Sequence, residues 1–94
     1  MKVTLNGNPK TLKELEDPEI LVSGFGVLLA SQVKARPKKM IEKLNDYERL
    51  GNWSTLAKEC ETVAIWAKAA EAVESLMASP QYKRKVTLAK KDNG

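Results

Sequence analysis

The chain has 94 residues, 43% hydrophobic and 30% charged, with a net charge of +4, which describes one small domain with a modest core. With no histidine and a single cysteine, Cys60, it lacks the ligands for a structural zinc site and the pair for an internal disulfide. Five aromatic residues are few for a base-stacking nucleic-acid platform.

Lys2-Val3-Thr4-Leu5 opens the chain with the alternation and β-branched residues of a half-buried strand. The same tetrapeptide returns near the other end as Lys85-Val86-Thr87-Leu88. Asn6-Gly7-Asn8-Pro9 reads as a turn, after which residues 10–12 are a candidate second strand. Asp17-Pro18-Glu19 has the composition of a helix start: a cap, a proline for the first position and an acid for the positive end of the dipole. From it a helix is predicted over 18–35, with Leu21, Val22, Phe25, Leu28, Leu29 and Val33 as its apolar stripe. Gly24 and Gly26 would weaken that helix and suggest a close approach by another backbone or a ligand. The apolar run Ile20 to Ala30 is 11 residues long, short of the about 20 needed to cross a bilayer. A soluble, cytoplasmic protein with no membrane partner is therefore the expectation.

Arg36-Pro37 should break or kink the helix. A second helix is predicted over 37–50, closed by Gly51, and a third over 53–79, stopping before Pro80. On the third, Leu56, Cys60, Val63, Ala67, Ala70 and Met77 follow alternating four- and three-residue steps, with Glu74 the one break. That alanine-rich seam would let a facing helix come close, with Cys60 as a buried structural thiol; Ile65 and Trp66 fall off it and suggest a second buried edge. Residues 81–89 return to strand alternation, and 90–94 should fray.

Two stretches carry resemblances to known folds. Ile20 to Leu29, with Gly24 and Gly26, resembles the strand-to-helix start of dinucleotide-binding folds, but the third glycine is replaced by Leu29 and there is no room for a second βαβ unit. Leu50-Gly51-Asn52-Trp53-Ser54-Thr55-Leu56 resembles the turn and recognition-helix start of helix-turn-helix DNA readers, which implies DNA reading by the third helix. Tyr47, Glu59 and Glu61 depart from that pattern.

Charge is unevenly spread. Residues 31–50 carry six basic and three acidic side chains, residues 51–79 two and four, and residues 80–94 five and one. The expected fold is α+β and mostly helical: one domain, three helices, and short N- and C-terminal strands forming a minimal ribbon. The expected function is a non-enzymatic binding module acting through protein–protein contacts and self-association. Its interface would comprise Leu56, Cys60, Val63, Ala67, Ala70 and Met77. The alternative is a nucleic-acid-binding protein, with Lys38, Lys39, Lys83, Arg84, Lys85, Lys90 and Lys91 as candidate phosphate contacts. A third reading is a small inhibitor or adaptor of a mobile element. No catalytic constellation, cofactor site or metal site is expected.

Overall fold

The computed structural model describes residues 1–8 and 11–93, except for the side chains of 92 and 93. Its described elements run β1 (Val3–Leu5), α1 (Leu12–Glu16), β2 (Glu19–Val22), β3 (Gly26–Leu29), α2 (Ala30–Arg49), α3 (Trp53–Met77) and α4 (Pro80–Asn93). Most of the chain is helical, with one small antiparallel sheet in the order β1-β2-β3.

The expected N-terminal strand forms, but its partner is β2 and not the C-terminal segment. Thr4 lies opposite Leu21, and Leu21 opposite Val27. The predicted helix over 18–35 is instead a β-hairpin, 19–29, running directly into α2. Its turn places Gly24 at φ 88° and Gly26 at φ 87°, in the region that side-chain-bearing residues avoid. The glycines serve the turn; a Cβ at either position would meet nothing within 4 Å. Pro9 and Lys10 lie outside the described residues. Leu12, a candidate for a second strand, begins α1, which Thr11 and Glu14 close in a capping box: Glu14 N–H donates to Thr11 Oγ1 at 3.2 Å, and Thr11 N–H to Glu14 Oε2 at 3.4 Å.

Asp17 is a helix cap, though not for residues that follow it directly. Its carboxylate accepts from Ser31 N–H at 2.9 Å and Ser31 Oγ at 2.8 Å, at the start of α2. Beside it, Ala30 N–H donates to the Pro18 carbonyl at 2.9 Å. The first-turn donors of α2 are thus satisfied from the loop that precedes the hairpin, which ties sheet and helix together. Pro37 does not break the helix. α2 passes through it as one 20-residue element, held by its packing along α3. Gly51, at φ 70°, ends α2 as expected.

α2 and α3 lie side by side and antiparallel, as the short 50–52 link and the 3.8 Å contact between Lys34 and Glu74 require. The core sits at the sheet end of this pair: Ile20, Val22, Ala30, Val33, Trp66, Ala69 and Val73 are buried, with Val3, Leu5 and Leu28 packed against them. The Trp66 indole is clasped by Phe25, edge-on at 4.8 Å between centroids, and by the Arg36 guanidinium at 4.3 Å.

The C-terminal strand of the expected ribbon is helix α4, and 90–93 continue it; Gly94 lies outside the described residues. Tyr82, Val86 and Ala89, at i, i+4 and i+7, form its inward face, and α4 packs mainly on α1. Ser79 caps it, accepting from Tyr82 N–H at 3.2 Å.

Candidate functional site

From Lys34 to Ile65 no residue is buried. This arm is the part of the α2–α3 pair beyond the sheet. Its internal seam is a heptad ladder: Pro37, Met40, Leu44 and Tyr47 on α2 are half-buried, and so are Leu56, Glu59 and Val63 on α3. The ladder continues on α3 through Trp66, Ala70, Val73 and Met77 into the core. Leu56, Val63, Ala70 and Met77, expected from the sequence at an interface between copies, lie half-buried on this ladder within the chain. The alternate rungs are Glu59 and Trp66, and Cys60 and Ala67 of the same expected interface lie one position beside them. Cys60 is an exposed free thiol, not a buried one, and Ala67 is exposed too. Of the proposed second edge, Trp66 is buried and Ile65 is exposed.

Cys60 and Ala67 point one residue off the seam, onto the side of the pair away from the sheet. An open groove of about 560 Å³ runs there, lined by Pro37 and Ile41 of α2 and by Ala67 and Ala70 of α3. Lys34 and Lys38 stand on its α2 side, with Glu42 beyond; Glu71 and Glu74 stand on its α3 side. Cys60, seven residues before Ala67, continues the same face two turns nearer the tip. At the tip itself Leu50 is 77% and Trp53 64% exposed.

The basic candidates do not converge. Lys38 lines the groove, whereas Lys39 lies on the other flank of α2 beside Leu28, Gln32 and Arg36. Lys83, Arg84, Lys85, Lys90 and Lys91 belong to α4, and all five are exposed. The helix-turn-helix likeness fails on geometry, because α2 and α3 form a long antiparallel pair and Trp53, Ser54 and Thr55 begin its return helix.

A second cleft, about 440 Å³, opens between Asn6, Lys13, Glu14 and Asp17. Of the three carboxylates that line it, Glu14, Asp17 and Glu19, the first is engaged in the α1 capping box and the second at the α2 start. Among the described residues no group of three His, Cys, Asp or Glu is arranged to hold a metal ion, and no helix is long and apolar enough to cross a membrane. Comparison with protein-family models, with curated proteins and with solved structures gives no match.

Proposed function

We propose that this protein is a non-enzymatic interaction module that works as a self-associated pair, joined through the open face of the α2–α3 helix pair. The observation that carries this reading is the amount of surface left uncovered. A compact monomer of 10.4 kDa exposes about 5,400 Å²; this chain exposes 6781 Å². Its radius of gyration is 16.4 Å, against about 12 Å for a compact chain of this length. The excess surface, about 1,400 Å², is more than the about 800 Å² that each partner contributes to a standard interface.

The chemistry of the open face favours a second copy of the chain. Ala67, Ala70 and Cys60 present small side chains that permit close helix approach. The α2 side of the groove carries Lys34 and Lys38, with Glu42 farther along it, and the α3 side carries Glu71 and Glu74. A two-fold axis running along the arm sets α2 of one copy over α3 of the other, so that lysines meet glutamates at both ends of the symmetry operation. The result is an antiparallel four-helix bundle whose core receives Ile41. Sedimentation equilibrium tests the reading. A mass twice 10.4 kDa at micromolar concentration is expected, and 10.4 kDa throughout would refute it.

A further inference from the structure

The helical state of the C-terminal segment regroups its charges. As a strand, residues 82–91 would send Arg84 to one face and Lys83 and Lys85 to the other. As α4 they obey a period of 3.6 residues. Lys83, Arg84, Thr87, Lys90 and Lys91 then share one continuous outward face, and Lys85 stands alone on the opposite flank. The inward face, Tyr82 with Val86 and Ala89, is occupied by the body of the protein. Among the described residues none of the five α4 cations is in an ion pair.

We propose that this outward face of α4 binds the phosphodiester backbone of a nucleic acid, with Lys83, Arg84, Lys90 and Lys91 as the phosphate contacts. Four cations sit on one side of a helix of about 21 Å. Cations on one face can neutralise several phosphates on one track and release their counterions, which is the main source of sequence-independent affinity. A membrane surface is the poorer fit. An interfacial helix buries its apolar face in lipid, and here that face already packs against α1. A protein partner would want an aromatic or aliphatic anchor at the centre of the patch, whereas the single large exposed apolar residue on α4 is Leu88, toward the Lys85 flank.

The test is fluorescence anisotropy of a labelled duplex and a labelled single strand with the full chain over a salt series. Binding at about 50 mM salt is expected, falling as salt rises with a log–log slope of about −0.9 per duplex phosphate contact. Changing Lys83 and Arg84 together to Ala should reduce that slope by about 2, equally for different sequences, while Lys85→Ala should change affinity by no more than about twofold. All three positions are exposed, so circular dichroism of each variant should match the parent. Absence of binding to both probes at low salt would overturn the proposal. So would a Lys85→Ala loss equal to that of the double variant, or binding to phosphatidylglycerol vesicles without binding to either nucleic acid.

Discussion

Trp66 and Trp53 sit on one helix, α3, yet the first is 2% exposed and the second 64%. Around Trp66 the chain has done what a small domain must do. A sheet covers one flank of the helix pair, Phe25 and Arg36 close over the indole, and the buried residues cluster in one place. Around Trp53 the same two helices continue, and among the described residues no other element covers them. Each makes one half-buried ladder with the other, and the remaining faces meet solvent. An isolated pair of helices buries too little to offset the entropy of ordering it. The arm is therefore ordered by its continuity with the core.

The comparison can be broken first at the core. Trp66→Ala removes the largest buried side chain of α3 and should cost about 3–5 kcal/mol, a large share of the about 5–15 kcal/mol that holds a domain together. Trp53→Ala should cost less than about 1 kcal/mol in the monomer. Urea denaturation followed by circular dichroism measures both. Equal losses would mean that the tip is as much a structural centre as the sheet end.

The open face of the α2–α3 pair is probed next, at Ala67. The residue is exposed in the single chain, and Glu is a good helix former, so Ala67→Glu should leave the monomer intact. In the pair it places a carboxylate within a close helix contact. Dimer dissociation should rise at least tenfold, about 1.4 kcal/mol, read by sedimentation at several concentrations. An unchanged dimer with Ala67→Glu would move the interface off this face.

How the sequence encodes the two regions explains which parts of it could be read directly. The long third helix, its ladder of Leu56, Val63, Ala70 and Met77, the N-terminal strand and the Gly51 stop all follow from local pattern. The hairpin 19–29 did not, because Leu21, Val22, Phe25, Leu28 and Leu29 suit a helical stripe as well as paired strands. The deciding cue was Ser23-Gly24-Phe25-Gly26 between two apolar runs, a turn signal rather than a helix defect. Thr11-x-x-Glu14 is a capping box legible in the sequence, and it marks a helix start where strand alternation alone is ambiguous.

The repeated tetrapeptide is the sharper lesson. Lys-Val-Thr-Leu is strand at one end and helix at the other. Val3 and Leu5 alternate onto the inner face of a sheet that β2 completes. Val86 instead falls in step with Tyr82 and Ala89 after a capped, proline-started turn. Four residues do not decide between these states; the apolar spacing around them does. The ladder on α3 erred for a related reason. Glu59 and Glu74 interrupt the two competing phases once each, so apolarity alone could not choose between Trp66 and Ala67. Cys60, Ala67 and Ala70, expected from the sequence at an interface between copies, lie on the open face proposed for that contact.

The junction of the two regions is Pro37, just beyond the last buried residue of α2. Inside a helix it forfeits the hydrogen bond to the Val33 carbonyl and crowds the preceding turn, a cost of about 3 kcal/mol relative to Ala. Its ring contacts on the seam and its stiffening of the unfolded chain return part of that. Pro37→Ala should raise stability by about 1–2 kcal/mol in thermal melts and tighten the arm. A loss of stability would show that the proline is instead a packing element that the arm depends on.

The smallest expected effect concerns Tyr82, where α4 joins the body. Its ring is buried, and its hydroxyl has no hydrogen-bond partner among the described residues. Burial pushes the phenol above its ordinary value, and the nearby Asp17 carboxylate pushes it further the same way. The folded state therefore favours the neutral ring. The stability this contributes is complete below the unfolded pKa of about 10 and is lost as pH rises through the higher folded value. Tyr82→Phe removes an unpaired buried hydroxyl and keeps the ring packing, so it should leave stability at neutral pH unchanged or higher by about 1 kcal/mol. It should also flatten the decline on the alkaline side. Helicity followed by circular dichroism from neutral pH to beyond the tyrosine range, in parent and variant, decides the matter. If both lose helix in parallel, the phenol is not what holds α4 against the body.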